Sequence, residues 1–285
     1  GDPADLRTDV GPLIDARAWG AIARYIEERH DRLIHQVEAP ATGHFLAPTL
    51  LRVSGIEDLP REIFGPVLHV ATYAAEDLPK VIAAINTRGF GLTFGLHTRI
   101  DGRVQEVAEA VHAGNIYVNR NQIGAVVGSQ PFGGEGLSGT GPKAGGPFYL
   151  PRFFAPGGTQ APVMEQLMPG PTGELNRLRL SPRAPLLCLG PEAAAQVAAI
   201  EAMGGRAEAA EGLAPEALAT REGFSGVIWS GDAARGRAIA AALAARPGPI
   251  LPVITGAPDV AHLFHERHLC IDTTAAGGNA ALLAG

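Results

Sequence analysis

Apolar residues at Trp19, Ile22, Ala23 and Ile26 recur at three- and four-residue intervals. That is the spacing of one helix face, and it predicts a helix over Ala16 to Arg29. HFLAPTLLRV, from His44 to Val53, reads as extended, and PVLHVATY, from Pro66 to Tyr73, as a buried strand. Leu78 to Asn86 returns to helical spacing and stops at Arg88-Gly89. GLTFGLHT (91–98) is strand-like, Gly102 to Val111 is helical up to Ala113-Gly114, and NIYVN (115–119) is another strand. Alternation of this kind predicts an α/β domain on a parallel sheet over residues 1–154.

After Phe154 the texture changes. Residues 155–185 are rich in Pro and Gly with weak periodicity and read as a linker. A second α/β pattern occupies 186–285. PLLCLG leads into a helix from Pro191 to Met203, FSGVIWSG into one from Asp232 to Ala245, and PILPVIT into a short helix near Pro258. HLCID reads as a last strand before the apolar tail AALLAG. The expectation is a small Rossmann-like wrap.

One stretch, GEGLSG at Gly134, Gly136 and Gly139, matches G-x-G-x-x-G literally. A dinucleotide fingerprint needs a strand just before the glycines and a long helix starting within them. NIYVN ends well upstream, and Thr140-Gly141-Pro142 and Gly145-Gly146-Pro147 follow, where no helix could run. No G-K-[ST] follows either. The match is an accident, and the glycines must serve the backbone.

Composition narrows the class. The 285 residues are 46% hydrophobic, enough for real cores, and a net charge of −6 argues against a general nucleic-acid or anionic-membrane surface. No apolar stretch approaches the ~18 residues of a spanning helix, and GDPADLRTDV lacks the regions of a signal peptide. Two cysteines, Cys188 and Cys270, make no disulfide framework, so a reducing cytoplasm is expected. The opening on Gly, with no Met, suggests a fragment.

Four ordered motifs carry a specific resemblance. EIFGP (62–66), FGLTFGLHT (90–98), GNIYVN (114–119) and PFGGEGLSGTGPKAGGP (131–147) together resemble the catalytic-domain end of the aldehyde dehydrogenases. The version is similar to the L-glutamate γ-semialdehyde dehydrogenase module of bifunctional proline-utilization enzymes. The remainder, ending HLCIDTTAAGGNAALLAG, resembles the extra C-terminal domain of longer members. The resemblance implies NAD-dependent oxidation of L-glutamate γ-semialdehyde to L-glutamate, with an FAD-dependent proline dehydrogenase module upstream. It also implies a cytoplasmic homo-oligomer, a dimer, and leaves open peripheral membrane association of the parent.

By the same resemblance, Glu62 accepts hydrogen bonds from the nicotinamide-ribose hydroxyls, as an acceptor-only carboxylate can, and Phe64 packs near the nicotinamide. GAVVG (124–128) matches the loop that holds the substrate's tail. Backbone N–H groups of Gly124 and Ala125 would take the carboxylate, and Phe132 would lie along the aliphatic part. The plainer alternatives are an ordinary loop carboxylate for Glu62 and core packing for Phe64 and Phe132.

In the family the nucleophilic Cys, the Glu base, the oxyanion Asn and the cofactor-binding sheet all precede a segment like GDPADLRTDVGPLID. No catalytic residue is therefore expected here, and Cys188 and Cys270 read as buried structural thiols. His262, His265 and His268 are spaced H-x-x-H-x-x-H, but the run straddles a helix and a strand and lacks further ligands, so solvated or interface histidines are expected and no metal. The turns CLGPEAAAQ and WSGDAARGR stand where a nucleotide would bind in a Rossmann fold, yet lack the glycine pattern, so a non-binding lid or packing domain is expected. Two rivals to the enzyme reading remain. One is a structural or interaction module covering a substrate tunnel or subunit interface. The other is an independent nucleotide-binding protein using the second domain.

Overall fold

A computed structural model describes residues 1–139, 141–154 and 162–274. They form two compact units, Gly1–Thr87 and Arg88–Gly285. The tail AALLAG and residues 155–161 of the expected linker lie outside the described residues.

In the first unit the predicted helix is α1 (Ala16–Glu27). Asp15 caps it by accepting from the Ala18 N–H at 2.7 Å, relieving one of the amides that a helix start leaves unbonded. Its apolar face, Ile22, Tyr25 and Ile26, packs on Leu51 together with Leu13, Leu33, Leu46 and Ile63. The strands are β1 (Leu33–Gln36), β2 (Thr49–Arg52) and β3 (Val67–Val70). β2 is parallel to β3 but antiparallel to β1, a strand too short and too exposed to announce itself in sequence. The unit closes with α2 (Leu78–Thr87).

The second unit opens with β4 (Phe90–Gly91), β5 (Thr93–Leu96), α3 (Asp101–Ala110), β6 (Asn115–Val118) and β7 (Glu135–Gly136). Next come β8 (Glu165–Met168), β9 (Glu174–Pro182) and β10 (Leu186–Cys188), followed by α4 (Ala193–Ala202) and β11 (Ala207–Ala209). The chain continues through β12 (Gly226–Ile228), α5 (Ala233–Ala244), β13 (Val253–Ile254), α6 (Val260–Leu263) and β14 (Phe264–Asp272).

The Rossmann-like expectation describes β10–β13 well. They form an all-parallel sheet in the order β11-β10-β12-β13. One face packs with Ile200, Leu263 and Phe264, the other with Leu218, Ile239 and Leu243. Two other expectations need correction. The segment read as a linker carries the antiparallel pair β8 and β9, because Asn176, Leu178 and Leu180 are buried at alternate positions, a period-2 signal masked by intervening arginines. The strand HLCID does not close the second sheet either. β14 lies between β6, to which it is parallel, and β9, to which it is antiparallel, giving the order β5-β6-β14-β9-β8.

The GEGLSG glycines serve close backbone approach, as expected. β7 pairs with β4, and a Cβ on Gly136, whose φ is 62°, would lie 2.3 Å from the Gly89 carbonyl oxygen. Gly114 is more constrained still, with a Cβ falling 1.9 Å from the Gly133 oxygen. Among the described residues no helix begins within 133–149, and no helix is long and apolar enough to cross a membrane.

Candidate functional site

Glu62 and Phe64 sit on the loop that enters β3. Ile63 turns into the core of the first unit, and two tight turns follow, with Gly65 N–H donating to the Ile63 carbonyl (3.0 Å) and Val67 N–H to the Gly65 carbonyl (2.8 Å). A Cβ at Gly65 would stand 2.6 Å from Ile22 Cδ1, so glycine lets the loop rest on α1. With Ile63 inward, its two neighbours face outward. Glu62 is exposed and Phe64 is 86% exposed, so core packing of Phe64 within this unit is ruled out. An acceptor carboxylate and an unpacked aromatic ring thus stand open to solvent two residues apart.

Gly124, Ala125 and Phe132 belong to the second unit, on the segment leaving β6. Their anchorage is polar. Asn115, fully buried on β6, donates from Nδ2 to the Pro131 carbonyl (2.9 Å) and accepts at Oδ1 from Gly133 N–H (3.2 Å) and Lys143 Nζ (2.6 Å). Phe132 and Ala144 exchange backbone hydrogen bonds at 3.0 and 2.9 Å. Phe132 is thereby fixed and left half-buried. Upstream, Gln130 closes a turn on Val126: its own N–H donates to the Val126 carbonyl (2.9 Å), and its Oε1 accepts from Val126 N–H (3.1 Å). The amides of Gly124 and Ala125 donate to no group among the described residues. The result is an open run of free donors leading into a pinned turn, and free backbone N–H groups of this kind can take an anion.

Sequence reasoning did not single out Gln130, Asn115 or Lys143: Gln130 and Lys143 lie in loop segments with no periodicity to betray burial, and Asn115 opens a strand whose apolar residues carry the pattern. Lys143 is 2% exposed. Burial lowers its pKa to about 7, against the pull of Glu266 and Glu135.

Cys188 and Cys270 are buried, as expected, and burial pushes both thiols up to about 11. The histidine run straddles α6 and β14. His262 serves the N-terminus of α6 with Asp259, but His268 is 0% exposed rather than solvated. Neither of its ring nitrogens has a hydrogen-bond partner of good geometry among the described residues. At the Rossmann-like turns, Asp232 caps α5 by accepting from Arg235 N–H (2.9 Å). A Cβ on Gly231 would lie 2.3 Å from the Trp229 ring. That glycine makes room for an indole, and the helix start already holds a carboxylate where a phosphate would go.

The buried His268 has a measurable consequence. Burial first, then the Lys143 and Arg120 charges, lower its pKa from 6.5 to about 4, while the Ser129 backbone and Glu174 pull the other way. Between those values the unfolded chain takes a proton that the folded chain refuses. Its contribution to stability is therefore complete above pH 6.5 and shrinks as pH falls, by roughly 3 kcal/mol near pH 4. Urea unfolding at pH 7 and pH 4.5 should show at least this loss, because burial also holds His265 down to about 3 and adds a loss of the same sign; His268→Met should remove only the His268 share.

Residues 1–155 match the aldehyde dehydrogenase family profile. Over 99% of its length the chain is 37% identical to the bifunctional protein PutA of Salmonella typhimurium, and it spans 28% of that protein. It is 41% identical to the 1-pyrroline-5-carboxylate dehydrogenase of a Geobacillus species, over 53% of this chain and 30% of that one. Among solved structures, a crystal structure of a Bradyrhizobium japonicum proline utilization A mutant superposes with a TM-score of 0.52 at 51% identity. That match covers 54% of this chain and 16% of the other.

Proposed function

The chain belongs to the aldehyde dehydrogenase family, and from that premise we propose that it is the C-terminal part of a PutA-type bifunctional enzyme. The reaction of its dehydrogenase module is the NAD-dependent oxidation of L-glutamate γ-semialdehyde to L-glutamate. The observation that carries this reading is the 124–128 loop, whose free Gly124 and Ala125 donors match a substrate ending in a carboxylate.

Each residue has a role within that reading. Gly124 and Ala125 hold the α-carboxylate through backbone N–H groups, and Phe132 lies along the aliphatic chain. Glu62 accepts from the ribose hydroxyls of NAD, and Phe64 packs near the nicotinamide. When bound, NAD supplies the hydride acceptor. The thiolate that forms the thiohemiacetal, and the base that activates water, are expected from residues outside this segment. The parent is proposed as a cytoplasmic dimer, with FAD held by a proline dehydrogenase module upstream.

A second reading, a non-catalytic module covering a substrate tunnel or subunit interface, is favoured by one observation. Both thiols of these 285 residues are buried.

Glu62→Gln in the full enzyme tests the cofactor contact. Hydrogen bonds to a charged acceptor contribute about 1.5–3 kcal/mol, so hydride transfer should slow roughly tenfold or more. Single-turnover hydride transfer at the unmodified rate would remove Glu62 from the site.

A further inference from the structure

Beneath the carboxylate-holding loop, one side-chain amide joins three separate parts of the second unit. Gln130 is 3% exposed. Its Oε1 accepts from the Val126 N–H, which fixes the 126–130 turn directly after Gly124 and Ala125. Its Nε2 donates in the opposite direction, to Glu174 Oε1 at 3.0 Å, and reaches Cys270 Sγ at 3.3 Å. Glu174 opens β9, and Cys270 lies on β14. The other carboxylate oxygen of Glu174 takes Arg120 at 2.5 Å, just past the end of β6, and Arg120 in turn reaches Cys270 Sγ at 3.2 Å. Asn176 Nδ2 completes the set with a bond to Glu174 Oε1 at 2.8 Å.

Only an uncharged amide satisfies both sides of position 130. A carboxylate there would accept from Val126 but face the Glu174 carboxylate at hydrogen-bond distance. An apolar side chain would free the Val126 N–H from its turn and leave the largely buried Glu174 carboxylate short of one partner. Backbone amides aim an anion site only as well as their turn is held, and a displacement of an ångström is enough to spoil a pair of hydrogen bonds.

Resting on the carboxylate-anchor reading above, the geometry points to Gln130 as the positioning residue of that loop, with Glu174 of the β8–β9 hairpin as its support. The C-terminal strands therefore set how well the enzyme discriminates a carboxylate-bearing aldehyde, although they contribute no atom to the substrate.

The test uses the full-length enzyme with L-glutamate γ-semialdehyde and an uncharged aldehyde of equal length, alongside hydrogen exchange at 124–130. In Gln130→Met, kcat/KM for the carboxylated substrate should fall about tenfold more than for the uncharged one, chiefly through KM, and the Val126 amide should exchange at least tenfold faster. Gln130→Glu should do the same at neutral pH. Combining it with Glu174→Gln restores an amide–carboxylate pair in reverse order, with the Asn176 amide turned over to offer its otherwise unpartnered Oδ1, and should recover both the preference and the exchange protection. Recovery in the swapped pair separates positioning from general damage even where Gln130→Met folds poorly. Equal losses for both substrates, or a swapped pair no better than Gln130→Glu alone, would overturn the assignment. An unmodified enzyme that treats the two substrates alike brings down the anchor reading instead. The exchange data then decide the role of Gln130 by themselves, and unchanged exchange in Gln130→Met rejects it.

Discussion

Supplied with NAD and L-glutamate γ-semialdehyde, the 285-residue chain on its own should produce no NADH, and joining it to the preceding part of a PutA relative should restore turnover. The reaction needs a thiolate within reach of the aldehyde carbon. Cys188 and Cys270 are each 0% exposed, with pKa values near 11, so at pH 7.5 roughly one in 3,000 of either would be ionised. Reaching an aldehyde would further require opening a strand at the centre of a sheet. The expected effect is the whole of the catalysed rate, commonly a factor of 10⁶ or more over the uncatalysed reaction. Turnover by the isolated chain that disappears in Cys188→Ala or Cys270→Ala would show that the nucleophile had been misassigned.

In the restored enzyme, L-glutamate γ-semialdehyde should be preferred over an uncharged aldehyde of equal length by ~10²-fold or more in kcat/KM. The reasoning rests on the Gly124 and Ala125 donors. A plain alkyl chain leaves both unpaired, at about 1–3 kcal/mol each once water is excluded, and discrimination against a missing polar partner is the kind that sites achieve well. Gly124→Val should abolish the preference. The backbone of Gly124 lies outside the left-handed region, and a Cβ there meets no heavy atom within 4 Å. The substitution thus adds a branched side chain beside the donors, where it would compete with the carboxylate for space, without straining the backbone. A variant with its preference intact, or equal kcat/KM in the unmodified enzyme, would place the anchor elsewhere.

Much of the local structure was legible because it is local. The stripe through Trp19, Ile22 and Ile26 fixes α1, and the glycines of 134–139 disqualified themselves as a fingerprint through the prolines that follow them. EIFGP, GNIYVN and PFGG were readable as an ordered set. What escaped depends on distant partners. The β8–β9 hairpin was hidden because its turn, Pro169-Gly170-Pro171-Thr172-Gly173, reads as a breaker, and because the buried positions of β9 alternate with Arg177 and Arg179. HLCID was legible as a strand but not as a neighbour of β6, since sheet membership is set by a partner far along the chain. Gln130, Asn115 and Lys143 are invisible for a related reason. Their burial follows from what lies across from them.

The position of β14 bears on how the protein is made. Arg120, one turn past β6, and Cys270, its neighbour on β14, are 150 residues apart in sequence. At the ~5–20 residues per second of synthesis, β6 leaves the ribosome roughly 8–30 s before the strand that covers its edge. During that interval NIYV presents an unpaired, apolar edge, the surface that invites association with other chains. A premature stop between Val118 and Phe264 should therefore yield insoluble rather than merely shortened product. Slow codons between β9 and β14 would lengthen the hazard, and a chaperone that binds extended apolar segments would be needed most in that window.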